Sequence, residues 1–241
     1  LAVAVSAVLP VFAVYPMPIQ TATETEAVYL FNADTGKTLL TQNADQPRYV
    51  ASLTKMMTAL LLLESGKDLN GEVTVPTDLT QEFKDIQNAN GTTMGLRIGE
   101  TVRRIDLLNA LLITSANDAA SVIAWDVGGS LNAFIQQMNA RAAELGCTSA
   151  TFTCAHGLYD YGNVASAEDM AKIAAACAAN ETFAQVAGST TYTLGQTNFH
   201  SEQRTISSSN PLMDASGVYY KDSGKWVKGG FTTLAGRCAV A

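Results

Sequence analysis

The sequence predicts an α+β fold, with an antiparallel sheet formed from both ends of the chain, a central buried helix and an inserted helical subdomain. Three observations carry this expectation. Short runs rich in β-branched and aromatic residues stand near the start, in "EAVYLFNADTGKTLLTQN", and return near the end, in "TTYTL", "GVYYKD" and "WVKGGFTTLAGRCAVA". Between them helix formers dominate, punctuated by glycines and capping signals. The run from Ser52 to Glu64 is apolar on nearly every face and ends at Ser65-Gly66, which predicts a helix buried on most sides.

The elements follow in order. Asn32-Ala33-Asp34-Thr35-Gly36 is a turn signal between two apolar runs and predicts a hairpin. Val102–Ile113 reads as a helix, "SAND" interrupts it, and Ala119–Val127 resumes. Gly128-Gly129 breaks that helix before Ser130 caps "LNAFIQQMNARAAEL", which closes at Gly146. Ser166-Ala167-Glu168-Asp169 resembles a capping box opening "MAKIAAACAA". These assignments place the helical insertion at about 75–185 within one domain covering 26–241.

Composition narrows the class. The 241 residues are 47% hydrophobic and 15% charged, as expected of a folded globular chain. A formal net charge of -7 without any run of lysines or arginines argues against nucleic acid or anionic lipid as a partner. The first residues, "LAVAVSAVLPVFAV", are too short an apolar stretch to span a bilayer and contain a proline. They read as a secretory h-region with Val11-Phe12-Ala13 as the cleavage site, so 1–25 is assigned to a signal-peptide remnant and the product is expected outside the cytoplasm. Leu at position 1, and an end inside the apolar run Cys238-Ala239-Val240-Ala241, read as a fragment of a longer frame.

Cys147, Cys154, Cys177 and Cys238 are few for a disulfide scaffold and lack the spacing of a zinc site, so no metal or other cofactor is expected. A Cys147–Cys154 bridge is compatible with an exported protein, whereas Cys177 and Cys238 read as buried small residues. His156 and His200 stand in turn-like contexts and read as loop residues rather than ligands.

With two histidines and no Gly-x-Ser-x-Gly elbow, a Ser-His-Asp arrangement has little support. Ser52 and Lys55 offer another route, because positions three apart share a helix face and bring Oγ within reach of Nζ. A lysine works as a base only when burial or a second cation favours its neutral form. Lys228, in "WVKGGFT", is a candidate for that cation and would attract an anionic substrate. The N–H of Ser52 at a helix N-terminus can point toward a developing oxyanion. Ser-x-x-Lys also caps helices by chance, and Ser-x-Asn occurs at Ser115–Asn117, Ser130–Asn132 and Ser208–Asn210. Ser130 reads as a cap and Ser208 as part of a polar loop, but Ser115–Asn117 puts two polar residues between apolar helices and is the functional candidate.

The order Ser-x-x-Lys, Ser-x-Asn, Lys-x-Gly resembles the penicillin-binding and serine β-lactamase superfamily. The blocks "NADTGKTLLTQNADQPRYVASLTKMMTALLLLE", "GETVRRIDLLNALLITSANDAA", "FIQQMNARAAELGCTSATF" and "HGLYDYGNVASAEDMA" are similar to those of the low-molecular-weight serine D-alanyl-D-alanine carboxypeptidases, from about Glu26 to the end. The resemblance implies a β-lactamase/transpeptidase-like fold that would continue through closing strands and a final helix beyond Ala241. It implies Ser52 as acylated nucleophile, Lys55 as its base, and Ser115 with Asn117 as proton relay and substrate-amide holder. Lys228, Gly229, Gly230, Phe231 and Thr232 would bind substrate, with the N–H groups of Ser52 and Phe231 as oxyanion hole.

The implied partner is a peptidoglycan stem peptide ending in D-Ala-D-Ala, with β-lactams as inhibitors and membrane attachment only through sequence beyond Ala241. Three departures stand out. Gly229 replaces the usual threonine of Lys-Thr-Gly, with Thr232 or Thr233 as substitutes; Val50 replaces a common proline; and the closing strands, the final helix and the carboxylate-binding arginine that the resemblance implies are expected beyond Ala241. The alternatives are a catalytically weak penicillin- or peptidoglycan-binding module and a class A-like β-lactamase, the latter needing Glu168 or Asp169 as deacylating base.

Overall fold

The computed structural model describes residues 25–158, 162–210, 212–218, 220, 222 and 228–241. The leader expected at 1–25 lies almost entirely outside the described residues, as do Trp226-Val227 and part of "GVYYKD".

The N-terminal hairpin forms as the turn signal predicts. β1 (Val28–Phe31) pairs antiparallel with β2 (Thr38–Gln42). Asn32 Oδ1 accepts from the Thr35 N–H at 2.8 Å and from its hydroxyl at 2.9 Å, and Gly36 takes the left-handed φ of +67° that closes the turn. β3 (Arg48–Tyr49) then leads into a 3₁₀ turn, Ala51–Leu53, and α1 (Thr54–Glu64). Around α1 stand α4 (Asn117–Gly128), α5 (Leu131–Glu144), α6 (Ala167–Ala178) and α7 (Glu181–Ala187). This is why α1 has no polar stripe: Met56, Met57, Leu60 and Leu62 are each 2% exposed or less, and burying each such side chain contributes roughly 1.5–3 kcal/mol.

The remaining elements frame that bundle. β3 pairs with β6 (Val164–Ala165), and β4 (Glu72–Thr74) with β5 (Thr101–Arg103). α2 (Thr80–Asn88) packs on α4, and α3 (Arg104–Asn109) runs into a π-helical turn at Ala110–Thr114. β7 (Thr191–Leu194) pairs with β8 (Arg204–Ser207), and β9 (Lys228–Thr232) with β10 (Gly236–Val240). Ser130 and Ser166 cap α5 and α6 as expected, their hydroxyls accepting from the N–H groups of Ala133 and Asp169.

Three details differ from the sequence reading. The strands from the two chain ends form two hairpins, and among the described residues β1–β2 and β9–β10 are not hydrogen-bonded to each other. Each closes its own ladder across a short turn, and the two share α6 as a floor. Val102 belongs to a strand, not a helix, because it pairs with Val73 and is buried there; helix begins at Arg104. In "GVYYKD" the described residues form turns. Asp214 Oδ1 binds the N–H and hydroxyl of Ser216, the Gly217 N–H donates to the Asp214 carbonyl, and Val218 is 91% exposed with no sheet to bury it.

Candidate active site

Ser52 occupies the middle of the 3₁₀ turn, and Lys55 lies in the first turn of α1. Ala51, the residue before Ser52, has a φ of +47°, a left-handed conformation that a residue with a Cβ adopts only when its surroundings enforce it. The Ala51 carbonyl accepts from the Thr54 hydroxyl at 2.8 Å, which in turn accepts from Asn163 Nδ2 at 2.7 Å. Lys55 is wholly buried and its three ammonium protons have three acceptors: Ser52 Oγ at 3.0 Å, Asn117 Oδ1 at 2.8 Å and the His156 carbonyl at 2.7 Å.

Ser115 and Asn117 reach the same place through irregular backbone. The π-helical turn ends at Ser115 with a φ of +61°, and α4 starts two residues later. Extra-wide turns of this kind re-aim side chains and are frequent at functional positions. The Thr92 carbonyl accepts from both the backbone N–H of Asn117 at 2.8 Å and its Nδ2 at 2.9 Å, which fixes the amide so that Oδ1 faces Lys55. Asp118 anchors the neighbouring loop, accepting from the N–H groups of Met94, Gly95 and Leu96.

The five residues expected to bind substrate, Lys228, Gly229, Gly230, Phe231 and Thr232, are the whole of β9, which packs against the 3₁₀ turn carrying Ser52. Lys228 is 5% exposed, and its Nζ donates to Ser115 Oγ at 2.9 Å and to the Gly229 carbonyl at 2.7 Å. Gly230 explains the close approach, since a Cβ there would stand 2.9 Å from the Ser52 nitrogen. Gly229 faces open space, where a Cβ would meet only the Cys238 carbonyl oxygen at 3.9 Å. The Phe231 side chain is 66% exposed. Thr232 lines a shallow cleft with Tyr49, Ala51, Gly157, Leu158 and Leu234, immediately beside Ser52, and its Oγ1 accepts from the Ala235 N–H.

Both lysines are held away from their ordinary protonation. Burial first, and the charge of Lys228 second, push the Lys55 ammonium well below its usual pKa, with Cys154 and Asp118 acting the other way. Burial lowers Lys228 to about 8. Neither lysine has a carboxylate partner among the described ion pairs.

The segment Ala155–Gly157 was not singled out as part of the site from its sequence, yet it supports this geometry. The Ala155 carbonyl accepts from Thr58 Oγ1 at 2.6 Å, the His156 carbonyl holds Lys55, and Gly157, with a φ of +74°, packs directly on the Ala51 carbonyl. The signal was His156-Gly157 in the quoted blocks, but a carbonyl's role leaves no side-chain mark. The proposed lactamase carboxylates are occupied elsewhere: Glu168 pairs with Lys172, and Asp169 accepts from the N–H groups of Thr148 and Ser149 and from the Ser149 hydroxyl. All four cysteines are free, so Cys147 and Cys154 are not bridged.

The family model described as D-alanyl-D-alanine carboxypeptidase matches residues 16–241. The chain belongs to this family. The D-alanyl-D-alanine carboxypeptidase DacF of Bacillus subtilis is 33% identical over 153 residues, 64% of this chain and 39% of DacF. The D-alanyl-D-alanine endopeptidase of Escherichia coli is 28% identical over 215 residues, 88% of this chain and 64% of the endopeptidase. The chain thus spans less than two thirds of the length of these relatives. Among solved structures, a point mutant of a Streptomyces DD-transpeptidase matches with a TM-score of 0.77 at 29% identity, covering 88% of this chain and 83% of that one. The D-alanyl-D-alanine carboxypeptidase of Mycobacterium tuberculosis matches with a TM-score of 0.76 at 27% identity, covering 88% and 74%. These likenesses agree with the transpeptidase-like α+β fold expected from the sequence.

Proposed function

We propose that this chain is the catalytic domain, 26–241 with a helical insertion at about 75–185, of an extracytoplasmic serine DD-carboxypeptidase. Its substrate is a peptidoglycan stem pentapeptide, from which it removes the terminal D-alanine. The observation that carries this reading is a fully buried Lys55 bonded to Ser52 Oγ, with a second buried cation, Lys228, bonded to Ser115 Oγ.

The chemistry follows from the donors. Neutral Lys55 keeps two N–H bonds, to Asn117 Oδ1 and the His156 carbonyl, and turns its lone pair to the Ser52 hydroxyl. Ser52 Oγ then attacks the carbonyl carbon of the penultimate D-alanine while its proton passes to Lys55. The N–H groups of Ser52 and Phe231 stabilise the oxyanion, each such donor accounting for about 10²–10³ in rate. Ser115 gives its hydroxyl proton to the leaving amine and takes another from the Lys228 ammonium that donates to its Oγ; Lys228 also draws in the substrate carboxylate. Water then hydrolyses the ester, and as it is cleaved Lys55 returns its proton to Ser52 Oγ and water restores that of Lys228. β-Lactams take the same path as far as the acyl-enzyme.

Incubation with a fluorescent penicillin and with a D-Ala-D-Ala pentapeptide tests the proposal. The expected result is a label on Ser52, released D-alanine, and loss of both in Ser52→Ala. Labelling without release would replace this reading by that of a penicillin-binding module, and absence of any Ser52 acylation would sink it.

A further inference from the structure

Glu82, on α2, has no part in the proposed reaction, yet one of its oxygens is tied to both residues that hold Lys55. Those residues are His156, through its carbonyl, and Asn117, through Oδ1. His156 Nδ1 accepts from the Leu158 N–H at 3.0 Å, so the ring proton sits on Nε2, which donates to Glu82 Oε1 at 2.9 Å. The Ser121 hydroxyl donates to the same Oε1 at 2.9 Å and lies 3.3 Å from the Asn117 carbonyl, one turn earlier on α4. A single carboxylate oxygen thus joins α2, α4 and the loop at 156–158.

The segment after α2 grips the same neighbours. Gly91 packs so closely that a Cβ there would stand 2.7 Å from Leu158 Cδ2 and 2.9 Å from Asn117 Nδ2, and the Thr92 carbonyl accepts from that Nδ2. The His156 side chain is sealed, whereas that of Glu82 is 22% exposed, so water reaches the far side of the carboxylate. Burial alone would raise the Glu82 carboxyl, but the bonds from His156 and Ser121 outweigh it and hold the group below its usual pKa, so it accepts throughout the neutral range.

We propose that Glu82 is a positioning residue for the base: its Oε1 moors both residues that hold Lys55 beside Ser52, and it does so as a hydrogen-bond acceptor rather than as a charge. Neutral Lys55 aims its lone pair at Ser52 Oγ only while its two N–H bonds stay fixed, and both run to residues moored on Glu82. Without the mooring the His156 carbonyl and the Asn117 amide shift, and the lone pair loses its aim. The charges that act on Lys55, those of Lys228, Cys154 and Asp118, stay in place when Glu82 is changed.

The effect on acylation rests on the carboxypeptidase reading; the grip on Lys55 does not, so two measurements are made. Fluorescent penicillin kinetics are resolved into an affinity and a first-order acylation step, and lysine labelled with ¹³C at Cε reports the Lys55 titration by NMR, its signal assigned by loss in Lys55→Met. Glu82→Ala is expected to slow the acylation step about tenfold with affinity within about twofold, the signature of lost geometry rather than lost binding. The Lys55 midpoint falls by about 1 pH unit, because an acceptor that favours the ammonium is no longer held. Glu82→Gln keeps an acceptor oxygen for both donors without the charge, and should restore the acylation step to within about threefold of the parent and the midpoint to within about 0.3. Ser121→Ala loosens Asn117 alone and slows the step about threefold, which tests the same link if Glu82→Ala does not fold. Equal losses in Glu82→Gln and Glu82→Ala, a loss confined to affinity, or an unmoved Lys55 midpoint in Glu82→Ala would overturn the proposal. If the parent itself does not acylate, the carboxypeptidase reading fails, while the Lys55 titration still decides the role of Glu82.

Discussion

Lys228→Met separates function from stability. The folded protein holds Lys228 at about 8 against an ordinary 10.5 because the ammonium is buried. A displacement of about 2.5 units at 1.36 kcal/mol each means that the charged side chain costs the native state about 3 kcal/mol at neutral pH. Methionine has a similar length and no charge, so it removes that cost. It also forfeits the bonds to Ser115 Oγ and the Gly229 carbonyl, worth about 1–3 kcal/mol together. The net expectation is a gain of about 0–2 kcal/mol, or a Tm rise of about 0–8 °C for a domain of this size.

The pH dependence has a definite direction. Below about 8 both folded and unfolded states carry the proton and the penalty is complete; between about 8 and 10.5 only the unfolded state holds it, so parent stability climbs with pH. The Tm gap between variant and parent therefore closes from pH 8 to pH 10 in thermal denaturation, while Ser52 acylation by a fluorescent penicillin falls at least about 100-fold at pH 7. A variant Tm more than about 4 °C below the parent at pH 7, a gap that widens with pH, or acylation within about threefold of the parent would refute the reasoning.

Three further outcomes are expected. Acylation of Ser52 rises with pH as Lys55, held well below its usual pKa by burial and Lys228, loses its proton, and declines above about 8 as Lys228 loses its own; a stopped-flow profile still climbing at pH 10 would show Lys55 titrating as an ordinary lysine. Asn117→Asp puts a carboxylate where Oδ1 now lies 2.8 Å from Lys55 Nζ, so Lys55 stays charged and acylation drops about 100-fold at pH 7. The rising limb of the same profile should move to higher pH, and an unmoved limb contradicts the role given to Lys55. Gly229→Thr finds open space on β9, so Tm should stay within about 2 °C, and its hydroxyl should raise kcat/KM on a D-Ala-D-Ala peptide about tenfold, one hydrogen bond to a charged carboxylate; unchanged kcat/KM would mean that Thr232 already fills this role.

How far the sequence reaches can be traced residue by residue. α1 was readable because an uninterrupted apolar run has only one place to go, the centre of the bundle. The Asn32–Gly36 turn and the Ser130 and Ser166 caps were readable because each is a local side-chain-to-backbone bond. Ser52, Lys55, Ser115, Asn117 and Lys228 were marked by residue type and order, and the structure brings them into two hydrogen-bonded groups, Ser52–Lys55–Asn117 and Ser115–Lys228, close enough for the charge of Lys228 to act on Lys55. Less legible was anything carried by backbone. The π-helical turn before Ser115, the strand at Val102 and the carbonyls of Ala155 and His156 depend on tertiary contacts that no local pattern encodes. "GVYYKD" misled because β propensity describes a fit to a half-buried surface, and Val218 has no such surface.

Two buried lysines satisfied by neutral oxygens explain why this site needs so large a core around it. A carboxylate partner would offset burial and fix each lysine in its charged form, which suits an ion pair and defeats a base. Here the acceptors are Ser52, Ser115, an amide and two backbone carbonyls, so the protonated state remains expensive. Left-handed backbone at Ala51 and Ser115 adds roughly 1–3 kcal/mol at each position. Sources of stability that do not touch the chemistry must offset these terms, and the dry faces of α1 against α4, α5, α6 and α7 are placed to do so. The apolar residues that follow Lys55 in sequence therefore serve it twice: they exclude the water that would keep it charged, and they hold the fold together while it is not paired.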